Sequence, residues 1–208
     1  MKVFLVRHAE SVLNAKNTGQ YPHTGLSGDG LRQAESLAER FDGLKVDLLL
    51  CSRYKRAMQT AQTIGKHIGK KVTYTTLLNE WKRPAEMQGQ NIEGKISKKI
   101  STEIMKHIED PNWHYSDDEN FFDLEKRMGR FLTYLQKSRK KTVIVVTHGY
   151  TIRMLLAIML FGEGMDMRDF YKLASFIHTT NAGITECDFE NGRWKLYRFN
   201  DYAHITAK

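Results

Sequence analysis

Lys2-Val3-Phe4-Leu5-Val6-Arg7-His8-Ala9-Glu10-Ser11 carries an apolar run straight into an arginine beside a histidine. A short β-branched and aromatic run predicts a buried strand, Lys2 to Val6, and residues leaving such a strand tend to line the ligand crevice of an open α/β sheet. The Arg7 guanidinium offers donors in a fixed plane that suits phosphate or carboxylate oxygens. A neutral imidazole at His8 can attack phosphorus or carry a proton near neutral pH. An Arg-His pair after a strand is also a common structural feature, so its meaning turns on what distant segments bring to the same edge.

Working outward, strand and helix patterns alternate. Ser27 is placed to cap a helix running to about Phe41, with Leu31, Ala34, Leu37, Ala38 and Phe41 as its apolar stripe. Val46 to Leu50 reads as a second strand, Tyr54 to Ile68 as a helix capped by Ser52, and Val72 to Tyr74 as a short strand. A helix from roughly Phe121 to Arg139 precedes Thr142 to Thr147, a near-continuously apolar strand. That strand ends in His148-Gly149 and leads into the helical run Thr151 to Leu160, repeating the strand, histidine, helix order of the N-terminal stretch. Ile184 to Phe189 and Trp194 to Phe199 flank Asn191-Gly192 and predict a hairpin. The alternation implies an α/β fold: a three-layer α/β/α sandwich with a mostly parallel sheet. Between Trp81 and about Phe122 the chain is polar and interrupted by Pro84, Gly89, Gly94 and Pro111. We expect one domain over 1–208 with 81–122 as a partly helical lid insertion over the site.

The 208 residues carry a formal charge of +8, which favours anionic partners. The densest basic runs, Lys66 to Lys71, Lys95 to Lys99 and Lys137 to Lys141, lie in or beside helices where lysines are simply solvated. No arginine-rich tail or zinc finger accompanies them, so nucleic acid is not the expected partner. No apolar run of about twenty residues and no cleavable leader pattern is visible, and a cytoplasmic protein without a membrane partner is expected. Cys51 and Cys187 have no CxxC spacing and read as buried free thiols. His67, His107, His114, His178 and His204 lack metal-ligand spacing, so neither a metal nor another cofactor is expected. The oligomeric state, monomer or homodimer, stays open.

A second anion-binding source is Ser52-Arg53-Tyr54-Lys55-Arg56, where Arg56 falls near a helix N-terminus and can join its dipole in holding an anion. With these residues in view, the chain resembles the histidine phosphatase superfamily over nearly its whole length. Arg7-His8-Ala9-Glu10-Ser11 is similar to its RHGE[ST] opening, with Asn14 at the downstream asparagine. Leu26-Ser27, Gly30 and Gln33-Ala34 resemble its L-[ST]-x-x-G-x-x-Q-A segment, and Ser52 to Ala61 its S-x-x-x-R-A-x-Q-T-A segment. Leu78-Asn79-Glu80 matches its acidic position, Asp118-Glu119-Asn120 loosely its G-E-S element, Val146 to Gly149 its second histidine motif, and Asn181 to Ile184 its late N-A-x-I segment. Ala9 stands where glycine is common, and Trp81-Lys82-Arg83-Pro84-Ala85-Glu86 replaces the glycine-rich segment usual in sugar-phosphate mutases.

The resemblance implies a metal-independent phosphomonoesterase working through a phosphohistidine at His8 on a phosphorylated metabolite. His148 and Glu80 would be the other catalytic residues, Glu80 as proton donor and then base. Arg7, Asn14, Arg56 and Gly149 would bind the phosphoryl oxygens. His23, Arg53, Lys82 and Arg83 are further pocket candidates, and Lys82, Arg83 and Lys95 to Lys99 would favour a substrate with extra negative charge if they fold above His8. Mutase-type phosphoryl transfer and a non-catalytic phospho-ligand binding module are the alternatives.

Overall fold

The structure, a computed structural model, describes residues 1–206. Six strands form one sheet in the order β3 (Val72–Thr75), β2 (Leu48–Ser52), β4 (Thr142–Thr147), β1 (Lys2–Arg7), β5 (Ile184–Glu190), β6 (Arg193–Asp201). The first four run parallel; β5 pairs antiparallel with β1, and β6 antiparallel with β5. The expected α/β sandwich is therefore present.

Side chains alternate across the sheet as strand geometry dictates. Val3, Leu5, Val143 and Val145 face α4 (Phe121–Lys137) and α5 (Gly149–Phe161), meeting Leu124, Met128, Phe131, Ile152 and Leu155. Val6, Leu49, Ile144 and Val146 face the other way, onto α1 (Gly28–Glu39) and α2 (Lys55–His67), with Ala34, Leu37, Ala61 and Ile64. Each fully buried Leu, Ile or Phe in these layers contributes roughly 1.5–3 kcal/mol. Leu31, expected in the α1 stripe, is instead exposed, and the second strand begins at Leu48 rather than Val46. The helices α3 (Lys95–Lys106) and α6 (Met167–Phe176) complete the main set; α6 docks Phe170 into the α4/α5 layer and carried no strong sequence signal. A short α7 (Ala203–Thr206) closes the described chain.

The register brings the two histidine segments level. Leu5 pairs with Val145 and Arg7 with Thr147, so His8 and His148 leave neighbouring parallel strands at the same height. The backbone after His8 is then fixed by α1. Ser27 Oγ caps that helix through Gly30 N at 2.9 Å while donating to the Glu10 carboxylate at 2.7 Å. Gly30 lies so close to Glu10 that a Cβ there would stand 1.9 Å from the Glu10 carbonyl oxygen. Residues 79–120 leave the layers, and their middle pairs with the loop after His8: Gly19 N donates to Gln90 O, Gly89 N to Gly19 O and Ile92 N to Asn17 O.

Candidate active site

His8 and His148 are buried with ring centroids 5.0 Å apart in an edge-to-face arrangement. Only a donor can face a carbonyl, so the 2.7 Å contact to Ala9 O puts the His8 proton on Nδ1 and leaves the lone pair on Nε2. That lone pair accepts from Arg56 Nε at 3.1 Å. Burial, then the cations Arg56 and Arg7, hold the His8 pKa well below its ordinary value, so the imidazole is neutral near pH 7.

Ser52 settles the second ring. Its hydroxyl donates to Asn79 Oδ1 at 3.0 Å and accepts from Tyr54 N, so His148 Nε2 is the donor in the 2.8 Å contact to Ser52 Oγ. The lone pair of His148 thus lies on Nδ1, which is buried with no protein partner. Burial and then Arg56 depress its pKa as well. Ser52 was expected to cap α2; that helix starts after Tyr54 without a side-chain cap, because the Ser52 hydroxyl is committed to Asn79 and His148.

Arg56 sits in the first turn of α2, and its pKa is pushed down to about 10 chiefly by burial. Its second branch donates to Tyr21 O at 3.2 Å, tying the loop after His8 to the same guanidinium. Arg7 donates through one terminal nitrogen to Thr179 O, while its Nε is buried and unpartnered. Thr179 Oγ1 is likewise buried without a partner. Both atoms lie against Gly149, where a Cβ would stand 3.3 Å from Thr179 Oγ1 and 3.6 Å from Arg7 Nε. Three uncommitted polar atoms, on Arg7, His148 and Thr179, therefore surround the start of α5, a helix N-terminus that itself favours an anion. Asn14 turns its Oδ1 to Ser11 and Asn181, which leaves its N–H pair to be offered. Asn181 Nδ2 and Ala182 N both donate to His8 O, and Ala182 takes φ 58° to do so.

Glu80 reaches this helix end from the opposite side. Its carboxylate accepts from Trp81 N, Thr151 N, Thr151 Oγ1 and Tyr150 N at 3.0–3.3 Å. Arg127 anchors the segment before it, donating to Leu77 O and Asn79 O while pairing bidentately with Glu119 at 2.7 Å. Glu119, within the element loosely resembling G-E-S, is thus a brace for the Glu80 loop. Arg127, Thr179 and Tyr54, which packs 5.3 Å from His148, had no local signature.

Of the remaining pocket candidates, Lys82 is paired with Asp117 at 2.9 Å, and Lys95, Lys98 and Lys99 lie on the exposed side of α3. These side chains face solvent or a nearby carboxylate, and no described contact joins them to His8. Arg53 is exposed, and only its backbone is bonded, to Asn79; His23 is exposed and stacks on Tyr21. Arg83 packs on Trp81. A separate cavity of about 500 Å³ opens by Lys2, Arg40, Glu186 and Asp201, but the Lys2–Glu186 and Arg40–Asp201 pairs spend those charges and both histidines are absent from its walls.

Residues 3–202 match the model of the histidine phosphatase superfamily, branch 1. A Schizosaccharomyces pombe protein named as a probable phosphatase is 30% identical over all of this chain and 97% of its own. A 2,3-bisphosphoglycerate-dependent phosphoglycerate mutase of Thermoplasma acidophilum is 30% identical over 93% of this chain and 90% of its own. Among solved structures, an Entamoeba histolytica phosphoserine phosphatase in complex with 3-phosphoglyceric acid superposes with a TM-score of 0.76 at 26% identity, covering 98% of each chain.

Proposed function

The chain belongs to the histidine phosphatase superfamily and is a phosphatase; from that premise we propose that His8 Nε2 is its nucleophile, acting on a small phosphorylated metabolite. The lone pair attacks phosphorus, the P–O bond to the organic group breaks, and Glu80 hands its proton to the leaving oxygen. Water, deprotonated by Glu80, then attacks the phosphohistidine and releases inorganic phosphate and free His8. Arg7, Arg56 and the Asn14 amide hold the equatorial oxygens, and His148 joins them once its bare Nδ1 takes up a proton, so the developing charge meets cations and donors and no metal is invoked. Gly149 keeps the backbone slim beside them. Thr179 Oγ1 joins this set.

The observation that carries the reading is the His8 tautomer: a neutral ring with its lone pair aimed at Arg56 over 3.1 Å. Residues 81–122 act as the lid. No helix among the described residues is long and apolar enough to cross a membrane, and with two buried free thiols a cytoplasmic site of action is the natural assignment.

Rapid-quench labelling with a radioactive phosphomonoester tests the reading. Wild type forms an acid-labile phosphohistidine and releases phosphate, and His8→Ala does neither. Release of label from wild type with no enzyme-bound intermediate would overturn it. The Thermoplasma relative keeps one alternative open, a mutase in which a second substrate hydroxyl empties the phosphohistidine; transfer of label to an acceptor phosphoester would identify it.

A further inference from the structure

Four parallel strands bring their first residues to one end of the sheet, opposite His8 and His148. Lys2 pairs with Thr142, Leu48 with Val143 and Leu49 with Val72, so the segments entering β1, β4, β2 and β3 stand level. Those segments carry Lys45, Lys70-Lys71 and Arg139-Lys140-Lys141, exposed except for the half-buried Lys70. Lys2 pairs with Glu186, but none of these other cations is in an ion pair among the described residues. Lys66 and Lys137 stand at the same end in the last turns of α2 and α4, where they offset the helix dipoles. The cations at the strand starts have no such task. Read run by run they are solvated lysines; the sheet order gathers the runs into one face.

Carboxylates of this end are largely committed. Asp47 accepts from Lys141 N and Thr142 N at 2.8 and 3.0 Å, Asp42 meets His67, and Glu190 pairs with Lys195. Glu39, closing α1, and Glu163, just past α5, offset only part of the positive surplus. Apolar side chains emerge beside it. The helix α5 starts at Gly149 next to His148, so its last turn reaches this end, where Leu160 is 66% and Phe161 47% exposed. Tyr134, in the last turn of α4, is 45% exposed and shares a concavity with Lys137 and Glu163. Exposed apolar groups beside a surplus of one charge mark a surface built for contact.

We propose that this end of the molecule docks on an anionic membrane surface, the strand-start lysines meeting lipid headgroups while Leu160 and Phe161 enter the headgroup boundary, so that the His8 pocket faces water. Basic charge and inserted apolar groups are the two signals that together hold a protein on a membrane without crossing it. Lysine outnumbers arginine here, and a flexible point charge suits a fluid array of headgroups, whereas base edges and fixed carboxylates suit the planar arginine fork. A nucleic-acid backbone would satisfy the cations and leave Leu160 and Phe161 without a purpose.

Vesicle flotation tests this, comparing phosphatidylcholine alone with phosphatidylcholine carrying about one-third phosphatidylserine. Wild type floats with the anionic vesicles at about 0.1 M salt, stays behind with the neutral ones, and is released at about 1 M, where the screening length falls from about 10 to about 3 Å. Each cation near such a surface strengthens binding about fivefold, so the double reversal Lys71→Glu, Lys140→Glu lowers the partition by about twentyfold or more. The matched reversal Lys98→Glu, Lys99→Glu on α3, in the excursion at the histidine end, changes it by less than about threefold, because those charges lie beyond the screening length. Leu160→Ser lowers it about three- to tenfold. Thermal melts report folding, and should the first reversal not fold, Lys71→Gln, Lys140→Gln carries the same comparison at about fivefold or more. Wild type that ignores anionic vesicles or binds both kinds alike, an equal loss from the α3 reversal, or Leu160→Ser binding as wild type overturns the membrane face. Tighter binding to a DNA duplex than to the vesicles overturns it in favour of nucleic acid. None of these results touches the phosphatase reading.

Discussion

Arg56 Nε donates to His8 Nε2 over 3.1 Å, so one guanidinium both sets the direction of the lone pair and lowers its basicity. Arg56→Ala removes the proposed oxyanion donor and a buried cation together. We expect kcat/KM to fall about 10²–10³-fold. The acid limb of the pH profile should also move to higher pH, since a nearby positive charge no longer resists protonation of His8. A limb that stays in place would contradict the electrostatic role.

Both buried histidines make stability depend on pH. Their folded pKa values lie below the unfolded value of about 6.5, so under that pH the unfolded chain takes up protons that the folded one refuses. Stability should be level above pH 6.5 and fall below it, by up to about 1.4 kcal/mol per pH unit for each ring. Urea midpoints between pH 8 and pH 5 measure this; the His8→Gln, His148→Gln double variant should show a flatter curve.

Oxyanion binding should consume a proton. His148 donates from Nε2 to Ser52 and presents a bare Nδ1, which cannot donate to a dianion until it is protonated. At pH 8 we expect vanadate or phosphate to bind with uptake of about one proton, whether onto the ring or onto the ligand. Calorimetry in buffers of different ionisation enthalpy reads the number directly, and no buffer dependence would refute it.

Ser52→Ala releases the ring from its tautomer. Removing the hydroxyl breaks the contacts to His148 and Asn79 and that from Tyr54 N, for a stability loss of about 1–3 kcal/mol. Turnover should fall about tenfold through misorientation of His148. Ser52→Thr, which keeps the hydroxyl, should recover much of it if the space allows. Thermal melts and steady-state kinetics separate the two effects.

Arg127→Met tests the brace behind Glu80. It strands Glu119 and frees Leu77 O and Asn79 O, and because the pair is mostly buried we expect a loss of about 2–4 kcal/mol. The Glu119→Gln, Arg127→Met double variant should recover part of that loss. Recovery in a double-mutant cycle assigns the cost to the stranded charge.

The parallel centre of the sheet was legible because β1 and β4 are short apolar runs, and Arg7, His8, Arg56, Glu80 and His148 were legible because each sits at a motif beside an element end. The structure brings all five together. The residues that set their states were harder to read. Thr179 meets Arg7 across 172 positions and Arg127 meets Leu77 across 50, contacts fixed by sheet order and helix docking with no local periodicity to announce them. The basic runs read as solvated lysines, and those of α3 are exposed: a long flexible ammonium side chain settles in solvent or on an adjacent carboxylate unless the fold confines it.

The loop after His8 is stitched to the excursion by main chain. Gly19, Gly89 and Gln90 join the loop after His8 to the excursion through their peptide groups, and only the glycines are dictated by geometry: Gly89 by φ 75°, Gly19 by the Met87 carbonyl oxygen 2.1 Å from where its Cβ would be. A seam of that kind is blind to side-chain identity. Selection, or a laboratory library, can therefore rewrite the other side chains of residues 85–92 while the seam to the loop after His8 keeps its path. The two glycines mark the limits of that freedom.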